Sequence, residues 1–318
     1  MKKIAIAGGG LAGLSAAWHL LQTRSVSVTL FDPNGIGGGA SGVSTGLLHP
    51  FPGKMALRSW RADEGMRLTK ELVQKVEEEV GQSVSQRGGI LRLAMTKEQE
   101  ERFQKCTEFD CEWWSKEKVA KYVPGAAKVP ALWMPEGMTI YSMPYLKGLW
   151  QLCEKKGASF RKEPFTDGKD FDAVVLALGW QTPKKLPHSF QEDLKATRGA
   201  ALICRWQNPP PCTLLSHGHL TSFETEGLCQ LGSTYEDPTT PFEEKKALAI
   251  QEKIAAFYPP AASYEVIEIR FGHRIARNLG YRPIVAQVDP KTWAFFGLGS
   301  RGLLYHALFG KELADQII

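Results

Sequence analysis

Ile4-Ala-Ile-Ala-Gly8-Gly9-Gly10-Leu11-Ala12-Gly13, followed by a second apolar run, Val26-Ser-Val-Thr-Leu-Phe31, that ends on Asp32, is the stretch on which the fold turns. The spacing predicts a strand, a glycine turn, a helix and a second strand tipped with a carboxylate, which together form a dinucleotide site. Gly8 permits the tight turn out of the strand, Gly10 lets the backbone approach a pyrophosphate, and Gly13 lets the helix pack closely on the sheet. The helix, patterned by Leu14, Ala17, Leu20 and Leu21, starts at Leu11 and Ala12 with free N–H groups and a partial positive charge. Asp32 is placed to accept hydrogen bonds from ribose hydroxyls.

Met1-Lys-Lys before small and apolar residues imitates a targeting segment, but the glycines fall on the fingerprint spacing and the chain enters an aspartate-ended strand instead of a cleavage site. No run approaches the roughly 18 apolar residues of a membrane helix. At 318 residues and 43% hydrophobic, the chain suits two domains or one large domain with an insertion. The net charge of +5 comes from dispersed lysines and arginines, without a nucleic-acid footprint. The six cysteines, at 106, 111, 153, 204, 212 and 229, lack the paired spacing of a zinc site. Reduced, buried thiols in a cytoplasmic protein and no bound metal are therefore expected. Oligomeric state leaves no mark on the sequence.

After Asp32, Gly35 to Pro50 form a glycine-dense loop too long for an ordinary turn, and such loops are usually functional. A helix is expected over 59–84, a short strand over 88–94, and further helices capped by Thr96, with Gln99 completing a capping box, and by Ser115. Pro144 opens another helix that stops at Gly157. Asp172-Ala-Val-Val-Leu-Ala177-Leu-Gly179 is a continuous apolar run ended by glycine, the pattern of a strand buried on both faces of a parallel sheet. Residues 197 to 270 hold strands and turns, and a last strand over 293–297 passes through glycines into a C-terminal helix. The expected fold is α/β and discontinuous. Residues 1–58, 140–196 and 272–318 would build a Rossmann-like, mainly parallel sheet that binds the cofactor, and 60–138 and 197–270 a substrate domain with a mixed or antiparallel sheet.

Taken together, the fingerprint, Gly39-Ala40-Ser41-Gly42, Gly46 to Pro50, the 172–179 strand, Gly232-Ser-Thr234, Arg274 and Gly297-Leu-Gly299-Ser300-Arg301-Gly302-Leu303 resemble the FAD-dependent amine and amino-acid oxidoreductases: D-amino-acid oxidase, glycine oxidase and sarcosine oxidase. The loop and the 297–303 stretch most resemble the oxidase half of the bifunctional enzyme that finishes 5-methylaminomethyl-2-thiouridine in tRNA. The resemblance covers the whole chain and implies FAD, with pyrophosphate on Gly8 to Gly13 and ribose on Asp32, where relatives more often have Glu. It places the flavin ring between the Ser41 to Leu48 loop, with Gly42, Thr45, Gly46 and Leu47, and the Gly299 to Leu303 turn, and it adds Ala40, Ala177 and Gly179 to the cofactor-binding residues.

The implied reaction is oxidation of a carbon–nitrogen bond in an amino acid or N-substituted glycine by hydride transfer to flavin N5, giving an imine that hydrolyses. A small amine or amino-acid substrate with a carboxylate needs a handle, and arginine binds that group through two parallel charge-assisted bonds. Arg274 lies where the family has its carboxylate arginine, and Arg301 follows the turn expected to face the flavin. Past Arg274 the text departs from the family pattern, which leaves Arg277 or Arg282 open as the ligand. His49 is a candidate base, and Tyr235 and Glu236 are candidate pocket residues that alternation cannot place. Two alternatives stand beside this reading. One is oxidation of a carboxymethylaminomethyl group on a tRNA wobble uridine, which the charge pattern does not support. The other is flavin binding without amine turnover, suggested by a chain shorter than the relatives.

Overall fold

A computed structural model describes residues 1–108, 110–190 and 192–318. Its first sheet runs Ile284–Gln287, Thr292–Phe296, Ala173–Leu176, Lys2–Ala7, Val26–Phe31, Ser159–Arg161 across its width. Five of these strands are parallel, and the Ile284–Gln287 edge is antiparallel to its neighbour. Alternation decides what each face meets. Ile4 and Ile6 join a core with Leu14, Leu20, Leu149 and Tyr305, while Ala5 and Ala7 join Phe31, Val174, Leu176 and Phe296 behind the sheet. Both faces are covered, as the continuous apolar runs required.

Helices Leu11–Leu20, Ser142–Lys155 and Gly302–Ile317 form the layer over the first of these cores. The helix expected over 59–84 runs from Ala62 to Val80 and closes at Gly81 with φ +68°. It packs with this same layer. A Cβ on Gly65 would lie 2.3 Å from the Leu304 carbonyl oxygen, and Thr69 Oγ1 donates to the Leu303 carbonyl at 2.7 Å. The boundaries expected from the sequence put it in the substrate domain. Its apolar stripe shows that one face is buried, but not against which partner.

The second sheet has eight strands, ordered Glu265–Arg277, Leu194–Arg205, Leu228–Gly232, His219–Ser222, Thr213–Leu215, Ile90–Leu93, Ala131–Met134, Glu112–Trp114. Only the Thr213–Leu215 and Ile90–Leu93 pair is parallel, so the sheet is mixed. Its own core gathers Leu202, Leu214 and Leu231 with Ile250 and Ile254 of helix Glu244–Ala255. Thr96 and Ser115 cap their helices as expected, each accepting a backbone N–H three residues on. A third, small sheet joins Leu47–Leu48 and Ser85–Arg87 to Met138–Ile140 and anchors the end of the glycine-dense loop. Among the described residues no helix is long and apolar enough to cross a membrane.

Candidate functional site

At the fingerprint, Gly8 takes φ +117°, and a Cβ there would lie 2.3 Å from the Ala177 carbonyl oxygen. Ala177 N–H donates to the Ala7 carbonyl at 2.8 Å, so the ends of the two central strands meet at this glycine. Gly179, with φ +59°, then turns the chain into a 3₁₀ segment. A Cβ on Gly13 would approach the Gly8 carbonyl oxygen to 1.9 Å, which no side chain survives. Gly10 is the N-cap, and Leu11 and Ala12 bury their side chains and offer backbone only. Asp32 accepts the Gly9 N–H on Oδ2 and the Asn34 N–H on Oδ1, both at 2.8 Å. A carboxylate has about four acceptor positions, so two remain for sugar hydroxyls.

The loop returns to the same helix start. Leu11 N–H donates to Ser41 Oγ at 3.1 Å, bringing together two motifs thirty residues apart. A Cβ on Gly42 would lie 2.2 Å from the Gly37 carbonyl oxygen, and one on Gly46, at φ +79°, only 2.0 Å from that of Ile140. Leu48 is fully buried in the core, Leu47 half-buried. The second sheet clamps this loop from above. Gln230 Nε2 donates to the Val43 carbonyl at 3.1 Å, Thr45 Oγ1 and His219 Nε2 share a hydrogen bond at 2.7 Å, and a Cβ on Gly272 would lie 2.8 Å from Ala40 Cα.

The long strand Glu265–Arg277 sets the geometry. Gly272, Arg274 and Ala276 share one face. Gly272 meets Ala40, and a Cβ on Gly299 would lie 2.8 Å from Ala276 Cβ, so Arg274 stands between the loop and the C-terminal turn. Its Nη2 donates to the Thr234 carbonyl at 3.2 Å, its guanidinium lies 4.8 Å from the Tyr235 ring, and its buried Nε has no hydrogen-bond partner among the described residues. A Cβ on Gly199 would come within 2.4 Å of Nη2, so the guanidinium rests on bare backbone. Among the described residues no carboxylate lies within ion-pair distance of Arg274. Arg277 falls on the opposite face of the strand, and Arg282 is exposed, with its guanidinium 4.3 Å from the Trp60 ring.

Arg301 is half-buried, with its guanidinium 4.6 Å from the Tyr281 ring and, again among the described residues, no acid partner. Gly302 abuts Leu11, Ser300 is exposed, and Leu303 is buried, giving its carbonyl to Thr69. Glu236 turns away into a buried pair with Arg198 at 2.8 Å, while Tyr235 is 71% exposed beside Arg274.

Burial, with Arg92 and His219 adding to it, pushes His49 down to about 3, and its buried Nδ1 has no partner among the described residues. Burial and then Arg274 push His219 down to about 3 as well. Both imidazoles are neutral at pH 7, which suits them to hydrogen bonding and makes them weak bases. Arg92, lowered to about 10 by burial, donates to the carbonyls of Phe51 and Gly53. Neither His219 nor Arg92 carries a local sequence pattern that marks it. Gly199 does carry one, because a glycine inside a strand pattern marks close approach by another group.

A family model described as FAD dependent oxidoreductase, DAO, matches residues 3–316. Among solved structures, glycine oxidase from Bacillus cereus ATCC 14579 has a TM-score of 0.84 at 18% identity, covering 100% of this chain and 97% of that one. Iminodiacetate oxidase from Chelativorans sp. BNC1 gives 0.79 at 18%, covering 99% and 95%. L-alpha-glycerophosphate oxidase from Mycoplasma pneumoniae, with FAD bound, gives 0.78 at 16%, covering 99% and 94%. No curated protein matches the chain.

Proposed function

From its membership of the DAO family of FAD-dependent oxidoreductases, we propose that this enzyme oxidises the carbon–nitrogen bond of an amino acid or N-substituted glycine. The observation that carries this reading is Arg274: a cation without an acid partner among the described residues, held by the Thr234 carbonyl on the strand face between Ala40 and Gly299. An unpaired, partly buried guanidinium is costly unless an anion completes it, and its planar fork matches a carboxylate. Two of the structural neighbours are named for carboxylate-bearing amines, glycine and iminodiacetate, which supports the same choice. Coverage of 97% of the glycine oxidase chain also argues against an abridged substrate half.

The residues present fit FAD. The Gly8 to Gly13 turn and the helix start would hold the pyrophosphate with Ser41, Asp32 the ribose, and the 40–48 loop and 299–303 turn would flank the ring. When bound, FAD supplies the two-electron acceptor for hydride from the carbon beside nitrogen. Arg274 fixes the substrate carboxylate and so orients that C–H bond, replacing random encounter with a defined approach. His49 and His219, both neutral, add hydrogen-bonding capacity without a second charge near the amine. The nitrogen gives up its proton to solvent as the C=N bond forms, and water then splits the imine into an amine and a 2-oxo acid.

Incubating the FAD-loaded enzyme with amino acids and N-alkylglycines, and trapping 2-oxo acids as hydrazones, tests this. The expected result is product from at least one member, with rates nearly indifferent to salt between 50 and 200 mM. The tRNA alternative predicts product from modified tRNA alone, with a steep loss as salt rises.

A further inference from the structure

Several buried or half-buried arginines of this chain pair with acids. Arg58 meets Asp63, Arg61 meets Glu64 and Glu312, Arg198 meets Glu236 and Arg270 meets Glu268. Arg274 and Arg301, both half-buried, have no acid partner among the described residues, and they lie on the two sides of one short stretch of structure. Ala276, two residues beyond Arg274 and on the same face, forms a bridge with Leu298, and Gly299 abuts its Cβ. Arg301 closes that turn, its backbone N–H spent on the Leu298 carbonyl at 2.9 Å, so what it adds to the site is its side chain. Each guanidinium sits over an aromatic ring, Tyr235 for Arg274 and Tyr281 for Arg301. A ring face offsets part of the charge without consuming hydrogen-bond donors, which keeps each fork available to an anion.

We propose that the substrate carries two carboxylates, one held by Arg274 and the second by Arg301, so that it is a secondary amine bearing two acid groups, an N-carboxyalkyl amino acid. The proposal rests on the carbon–nitrogen oxidation above and narrows its substrate class. A monocarboxylate would leave Arg301 without an anion. A dicarboxylate satisfies both forks and sets the amine between them, over the position flanked by the 40–48 loop and the 299–303 turn. Tyr281, carried on the link between the Glu265–Arg277 and Ile284–Gln287 strands, positions the second arginine.

Two thioethers that offer no amine to oxidise test this by binding alone: thiodiglycolate, with two carboxylates, and (methylthio)acetate, with one. Each is titrated into the FAD-loaded enzyme at constant ionic strength, and the change in the visible flavin spectrum gives its dissociation constant. The dianion is expected to bind the native enzyme at least about tenfold more tightly, in keeping with an added charge-assisted pair. Arg301→Ala should bring the two within about twofold by weakening the dianion, and Arg274→Ala should weaken both. Arg301→Lys keeps the charge and should retain part of the preference, which separates loss of the contact from loss of the fold. Equal binding by the native enzyme, or a preference that survives Arg301→Ala, overturns the second carboxylate and leaves the Arg274 reading intact. Binding of neither thioether overturns both.

Discussion

Arg274 rests against the Gly199 backbone with one carbonyl as its hydrogen-bond partner, so its remaining donors are open to a carboxylate. Two charge-assisted bonds of about 1.5–3 kcal/mol each should vanish in Arg274→Ala, lowering kcat/KM by roughly 10²- to 10⁴-fold with FAD content unchanged. Arg274→Lys should recover only part, because an ammonium is a point charge without the fork. A variant with native kcat/KM would remove Arg274 from the site. At this scale the sequence was legible where geometry forces residue choice. Gly8, Gly13 and Gly46 each press on a carbonyl oxygen, and only glycine fits. It was silent on His219, whose partner Thr45 lies 174 residues away, because a lone histidine in a strand carries no local pattern.

The elements that carry the candidate site are the 11–20 helix and the long 265–277 strand. A methyl group on Gly13 would drive the helix off the Gly8 carbonyl, so Gly13→Ala should reduce FAD uptake severely and cost about 1–3 kcal/mol or more. Gly39, in the same cofactor region, has no other protein atom within 4 Å of an added Cβ, and Gly39→Ala should leave the packing of the protein and its thermal unfolding unchanged. Comparing flavin content and thermal unfolding of the two variants checks this, and an equal fall in Tm in both would refute the close-packing argument. The strand-turn-helix start and the buried 173–176 strand were evident from periodicity. The partner of the 62–80 helix was not, since amphipathicity names a buried face without naming its neighbour. The face of the 265–277 strand was hidden in the same way. Gly272, Arg274 and Ala276 become a set only once Ala40 and Gly299 are seen against them.

Across the whole molecule, burial holds five histidines low: His49 and His219 at about 3, His19 and His306 at about 4, and His273 in the same direction. Their unfolded values lie near 6.5, so below that pH the unfolded chain takes up protons that the folded chain refuses. Stability supplied by these groups is complete above about pH 6.5 and falls on acidification toward 4, by up to about 1.4 kcal/mol per pH unit for each histidine. Thermal unfolding should show Tm declining through that window, and a flat Tm between pH 6.5 and 4.5 would contradict their burial as neutral groups. The two-sheet architecture was legible because alternation and glycine punctuation are local. The site between the sheets was legible only in halves, each motif visible and their meeting not.

The most direct test of the account is anaerobic mixing of the FAD-loaded enzyme with amino acids, N-alkylglycines and iminodiacetate, followed by the visible flavin band. Bleaching by a carboxylate-bearing amine, lost in Arg274→Ala, is the predicted result. A flavin band that stays fully oxidised with every amine in the panel would contradict carbon–nitrogen oxidation by this site.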